Sequence, residues 1–259
     1  MTTAPNPRSL FLGHGAPTLA LSAHPATQAM RTLGLRLATP RAVIVVSPHR
    51  YAAGFDVGGS ERFTAWHDFQ GFPAPLYALQ YSPPGDPALA DRVSAAIRDQ
   101  GLPSQVSDDA RIDHGIWVPL RLLWPNADVP VIPVASTRAG PEPHLALGRA
   151  LKPFTDEGCI VIGTGSITHN LGDLDFGNEY APVQPWAQAF DDWIAENLVR
   201  RDEAALARYR QQAPNAVHAH PTDEHLMPLF AALAAGGAAQ PTFRGFSHGT
   251  ISLSAYEFA

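Results

Sequence analysis

Two histidines stand at the ends of two apolar runs. Ser9–Leu12 leads into Gly13-His14-Gly15, and Ala42–Ser47 leads into Pro48-His49. A third run, Cys159–Gly163, is followed by Thr164-Gly165-Ser166-Ile167-Thr168 and then His169. Open parallel α/β sheets bind ligands beyond the carboxyl ends of their strands. If these runs are parallel strands, the three histidines leave the sheet at one edge. Neutral imidazoles that converge in a cleft suit Zn, Fe or Ni. The pattern therefore predicts a metal site built on His14 and His49. Glycines beside His14 would let a metal and a substrate approach the backbone, and Ser47-Pro48 would fix the chain direction before His49. His225, after Pro221-Thr222-Asp223, and His114, in Asp113-His114-Gly115, open later helical patterns. His24, His144 and His218 read as ordinary structural or surface histidines.

The elements that must position these residues alternate between strand and helix. Ser9–Leu12, Ala42–Ser47, Val129–Ala135 and Cys159–Gly163 are mostly continuous and β-branched, as expected of strands covered on both faces. Pro130 and Pro133 argue against the third, because proline cannot donate to a ladder. Asp86-Pro87 supplies an N-cap and an N1 proline for a helix over Ala88–Gln100. Further helical patterns cover Glu142–Thr155, Trp186–Val199, Asp202–Gln211 and His225–Ala235. The tail, Thr242–Phe258, reads as two strands closing around His248-Gly249. The aromatic, Gly- and Pro-rich segment Phe63–Pro87 reads as a long functional loop. The expectation is one α/β domain over residues 1–259, a mostly parallel central sheet flanked by helices, with the metal site at the carboxyl ends of its strands.

Bulk properties narrow the function. The chain has 259 residues, a net charge of −6, 45% hydrophobic and 16% charged residues. The acidic balance argues against nucleic-acid binding, which wants a basic face. No apolar stretch reaches the length of a membrane span. The start, Met1–Arg8, lacks the basic and apolar segments of a secretory leader, and the expected location is the cytoplasm. The lone Cys159 excludes an internal disulfide and sits in an apolar run, as a small hydrophobe would. No GxGxxG follows a strand and no GxxxxGK[ST] phosphate loop exists. Gly163-Thr164-Gly165-Ser166-Ile167 is no nucleophile elbow: its serine is one place late.

Six stretches carry a family resemblance. They are Leu10-Phe11-Leu12-Gly13-His14-Gly15-Ala16-Pro17, Val45-Val46-Ser47-Pro48-His49, His67-Asp68-Phe69-Gln70-Gly71-Phe72-Pro73, Asp113-His114-Gly115, Gly163-Thr164-Gly165-Ser166-Ile167-Thr168-His169-Asn170-Leu171 and Pro221-Thr222-Asp223-Glu224-His225-Leu226-Met227-Pro228-Leu229. In this order, across nearly the whole chain, the sequence resembles the DOPA 4,5-dioxygenase-like branch of the class III extradiol ring-cleaving dioxygenases. The resemblance implies a metal held by His14, His49 and His225. The wider superfamily often uses two histidines and a glutamate, and Glu224 adjoins His225; the nearer branch uses the histidine. It implies His169 as an acid/base group or a fourth, loose ligand, and His114 as a second active-site histidine near substrate or dioxygen. Fe(II) is the metal implied for activity, and Zn(II) is a metal such proteins can carry. Ser47-Pro48-His49-Arg50 and His248 depart from the family pattern at positions that bear on substrate choice.

The implied reaction joins O₂ to a catechol of the DOPA or small phenolic acid class and opens the ring to a muconic semialdehyde. His67, Phe69, Phe72 and His248 are expected to contact substrate, with Trp66 and Pro73 beside them. Asp113 and Asn170 are candidates to orient His114 and His169. Arg50, Arg111 and His248 are candidates to hold a substrate carboxylate. Two other functions fit the same residues: a zinc hydrolase with Glu224 or His169 as base, and a non-catalytic binding protein. A homo-oligomer paired through the tail strands is compatible with the sequence.

Overall fold

A computed structural model describes residues 6–259; the first five residues of Met1–Arg8, read above as lacking the segments of a leader, lie outside them. The four apolar runs become the middle of one sheet: β1 (Ser9–Gly13), β2 (Ala42–Tyr51), β5 (Val131–Ser136) and β6 (Cys159–Gly165). They lie in the order β5-β2-β6-β1 and are all parallel. Short strands extend the sheet on both sides. β3 (Val57–Gly58) pairs antiparallel with β5 and parallel with β4 (Val106–Ser107). On the other side β8 (Ala255–Phe258) runs antiparallel to β1 and to β7 (Ala239–Phe243).

Pro133 sits inside β5 after all. Val131 N–H donates to Pro84 O and Ala135 N–H to Asp56 O, so the odd positions of β5 point their N–H away from β2. The N–H that Pro133 lacks faces the side where β3 adds only one paired residue, Val57 with Val134. A proline is tolerated there because almost no ladder is lost.

Among the described residues, six helices of nine or more residues flank the sheet: α1 (Pro25–Arg36), α2 (Pro87–Asp99), α3 (His114–Leu123), α4 (Pro141–Asp156), α5 (Pro185–Arg200) and α6 (Met227–Ala235). Strand alternation divides them. Leu10, Leu12, Val43 and Val45 pack into a core with Met30 and Leu33 of α1 and Trp117 and Leu120 of α3. Ile44, Val46 and Val161 face the other way, against Val93 of α2, Leu151 of α4 and Ala231 of α6. Phe11 joins a third cluster with Phe190 and Ile194 of α5.

Asp86 caps α2, its side chain accepting from Leu89 N–H. The helix expected over Asp202–Gln211 breaks into two short turns, Glu203–Ala207 and Tyr209–Gln212. α6 starts at Met227, so His225 lies in the turn before it. α1 is an element the sequence reading left out. No helix among the described residues is long and apolar enough to cross a membrane.

Candidate metal centre and substrate cavity

Parallel strands deliver their following residues to one edge, and here they deliver histidines. His14 directly follows β1, with its N–H on Gly165 O at 3.1 Å. His49 is not past its strand: β2 continues through Pro48-His49 to Tyr51, with an irregular register after Ser47. His225 reaches the same edge from the turn before α6. The Nε2 atoms of His14 and His49 are 3.0 Å apart. One ligand atom from each of His14, His49 and His225 lies within 4.8 Å of the others.

The donor set fits a cation. Burial, reinforced by the neighbouring histidines, holds His14 and His225 well below the usual imidazole pKa. Burial and His114 bring His49 down to about 3. These rings are neutral at pH 7. Glu224 Oε1 accepts from His225 Nδ1 at 3.0 Å, which leaves the His225 Nε2 lone pair free. Neutral nitrogens crowded together without other partners are the donor type that divalent transition metals take.

The glycines beside His14 also have a packing role. A Cβ on Gly13 would stand 2.6 Å from the Leu253 backbone. Gly15 has φ +59°, and a Cβ there would meet the Leu253 side chain at 2.7 Å. They let the Leu253 segment close over the strand end. Gly115 is the glycine that serves a histidine: its missing Cβ would lie 2.9 Å from His49 Cδ2.

Two more histidines complete the cluster. His114 opens α3 and packs on His49 with ring centroids 4.0 Å apart. Asp68, not Asp113, orients it: Asp68 takes His114 N–H at 2.9 Å and His114 Nδ1–H at 3.0 Å. Burial pushes the Asp68 carboxyl up, but the hydrogen bond from His114 and its charge bring it below the usual value. Asp113 instead accepts from Ser47 Oγ at 2.6 Å, and burial raises its pKa. His169 stacks on His225, centroids 3.4 Å apart and planes 10° from parallel. Burial lowers its pKa to about 4. Asn170 does not orient it; that side chain accepts from Gly172 N–H and donates to His218 O.

All five rings line one cavity of about 880 Å³. Phe69, Phe72 and His248 line it too. His67 does not; it packs edge-on against Phe69 and Trp117. Trp66 is 42% exposed and carries Arg111 over its ring. Arg50 and Arg111 are also outside the wall. Arg111 pairs with Asp109 at 2.9 Å, and Arg50 donates to Arg111 O at 3.0 Å. Leu171, Leu174, Phe176 and Ile251 line the cavity and were not foreseen. Asp68 was quoted within a motif, but its partner is 46 residues away and no local spacing marks the pair. The Glu224–His225 contact was legible as adjacency alone.

Known proteins resemble this chain over most of its length. The family described as the catalytic LigB subunit of aromatic ring-opening dioxygenase matches residues 21–259. A 4,5-DOPA dioxygenase extradiol of Beta vulgaris is 35% identical over 96% of this chain and 96% of its own. One from Escherichia coli K12 is 32% identical over 95% of this chain and 92% of its own. The crystal structure of an uncharacterized Escherichia coli K12 protein superposes with a TM-score of 0.79 at 26% identity, covering 97% of this chain and 99% of that one. Matched over most of its length by that family and by these relatives, the chain belongs to the LigB family of aromatic ring-opening dioxygenases and is an oxidoreductase of the extradiol class.

Proposed function

We propose that this protein opens a catechol-type ring with O₂ at a mononuclear Fe(II) centre held by His14, His49 and His225. The observation that supports this most is two buried imidazoles and a half-buried one converging beside a cavity whose wall includes two further histidines. Fe(II) would supply a Lewis-acidic meeting point for the diol and dioxygen. Both atoms of O₂ enter the product. The carbon–carbon bond beside the diol breaks, one end becoming an aldehyde and the other a carboxyl. The ring supplies the electrons, so no organic redox cofactor is required.

The protein's own groups move the protons. His169 is a neutral imidazole on the cavity wall and is suited to take a phenolic proton and return it. It lies outside the set formed by His14, His49 and His225, which favours acid/base work over a fourth ligand position. His114 has Nδ1 tied to Asp68, so Nε2 is its working nitrogen. The Asp68 carboxylate stabilises positive charge on that ring when Nε2 carries a proton toward an oxygen in the cavity. Phe69 and Phe72 wall the ring, and their edge-to-face contact at 5.3 Å keeps them in place. We assign the whole chain, 1–259, to one catalytic domain and place it in the cytoplasm. Zn(II) is the competitor for the same three nitrogens, and a zinc-loaded form is expected to be inactive toward catechols.

The test is anaerobic reconstitution with Fe(II), then oxygen uptake and visible absorbance followed together on a catechol panel that includes DOPA and small phenolic acids. A yellow product with one O₂ consumed per substrate is expected. Fe(II)-loaded protein that consumes no O₂ with any catechol would overturn the reading.

A further inference from the structure

The cavity that holds the five histidines is far larger than a catechol ring needs. At about 880 Å³ it lies near the top of the roughly 300–1,000 Å³ range of sites for drug-sized ligands. Its wall runs from buried His14, 2% exposed, out to Leu171 and Phe176, 56% and 71% exposed. Between them lie Leu174, Ile251 and Phe72. Large apolar side chains left in water at the mouth of a cavity mark a surface that gains from being covered.

Charge is distributed just as unevenly. Among the described residues, no lysine or arginine lines this cavity, and its one carboxylate is Glu224. Away from the proposed metal, a carboxylate carried in by a substrate would meet Glu224 and no basic side chain of the wall. His248 is the remaining polar group near the mouth. Its Nδ1 lies 3.0 Å from Asp175 O, which can only accept, so Nδ1 is the donor.

This rim is built and held. His248 takes φ +52°, an uncommon conformation for a residue with a side chain. Its N–H donates to Glu179 O at 3.0 Å, Asp175 N–H donates to its carbonyl at 3.2 Å, and Gln184 N–H donates to Gly249 O at 2.9 Å. The turn at His248 and the segment carrying Phe176 are thereby fastened together.

We infer that the preferred substrate is a catechol bearing an uncharged, apolar substituent long enough to reach Leu171 and Phe176, rather than an amino-acid or carboxylate-bearing catechol. The inference rests on the ring-cleavage reading above and narrows its substrate class.

The test compares three catechols on the Fe(II)-loaded enzyme: one with an unbranched six-carbon chain, the same chain ending in a carboxylate, and DOPA. Anaerobic calorimetry measures binding of each in parallel. The alkyl compound should exceed both others in kcat/KM by about tenfold or more, with the difference in KM, and bind tighter by a similar factor. Phe176→Lys, at an exposed position, should raise kcat/KM for the carboxylate chain several-fold and lower it for the alkyl chain. Equal or better turnover of the carboxylate compound or DOPA would overturn the inference and leave ring cleavage standing. If no compound consumes O₂, the ring-cleavage reading fails, and the calorimetric order alone decides what the cavity prefers.

Discussion

His14 and His144 are both buried, and only one of them belongs to the proposed metal centre. His144, on α4, has both nitrogens engaged: Nε2 with Ser136 Oγ at 2.9 Å and Nδ1 with Gly140 O at 3.0 Å. His24 is likewise complete, its Nδ1 accepting from Ala26 N–H and its Nε2 meeting Phe246 O, both at 3.1 Å. At the strand ends the rings face one another instead, His14 on His49, His114 on His49 and His169 on His225. Burial is common to both regions and distinguishes nothing. What distinguishes them is whether the protein supplies each nitrogen with a partner. Where backbone and hydroxyl groups do so, histidine is a structural side chain. Where a ring nitrogen meets only other imidazoles, its lone pair is left for a metal or a substrate.

The comparison breaks most visibly at the centre. His14→Ala or His49→Ala should abolish oxygen-dependent ring cleavage, while His144→Gln should keep it at the wild-type level; oxygen-electrode assays on matched preparations compare them. Full activity in either alanine variant would erase the distinction. His169→Ala should retain iron, measured by elemental analysis, and lose about 10²–10⁴-fold in kcat, the usual worth of a positioned acid/base group. Asp68→Asn keeps the side chain's size but removes the carboxylate behind His114. Iron content should hold and kcat should fall about 10–100-fold, by analogy with the partners that orient ligating histidines.

The structural set makes its own prediction through pH. Burial lowers His144 from 6.5 to about 4, against the opposing hydrogen bond to Gly140. The unfolded chain therefore binds this proton more readily than the folded one. The stabilising contribution is present above pH 6.5 and is lost as pH falls toward 4, up to about 3 kcal/mol at 1.36 kcal/mol per pKa unit. Denaturant melts of wild type and His144→Gln from pH 7 to 4 should show a shallower acid loss in the variant. Parallel slopes would mean that His144 is not held neutral. At the small end, His218 is paired with Asp173 at 2.5 Å on the surface. His218→Ala should shift stability by no more than about 0.5 kcal/mol.

The four parallel strands and their shared edge were legible because buried parallel strands write themselves as apolar runs. His14, His49 and His169 were visible as residues that follow such runs. The partners of those histidines were not legible. Asp68 reaches His114 across 46 residues, while Asp113, its neighbour in sequence, is turned toward Ser47. Adjacency suggested the wrong carboxylate because the first residue of a helix and its N-cap point in different directions. The role of Gly13 and Gly15 was equally hidden, since it depends on Leu253 arriving from the far end of the chain. His67 was placed in the cavity by its motif, but the segment is an irregular loop with no strand period to read, and it turns His67 against Trp117 while Phe69 lines the wall. α1 was missed because its buried face, Ala26, Thr27, Met30 and Leu33, opens on a small and a polar residue and so carries a weak apolar signal.

The central claim is that His14, His49 and His225 form the metal centre. Crystals loaded anaerobically with Fe(II) and measured across the iron absorption edge would test it directly. The account predicts one anomalous peak per chain, bounded by nitrogens of these three histidines at about 2.0–2.2 Å, the usual length of a metal–imidazole bond. A peak among His169, Glu224 and His225 instead, the other grouping of ligand atoms beside His225, would contradict it.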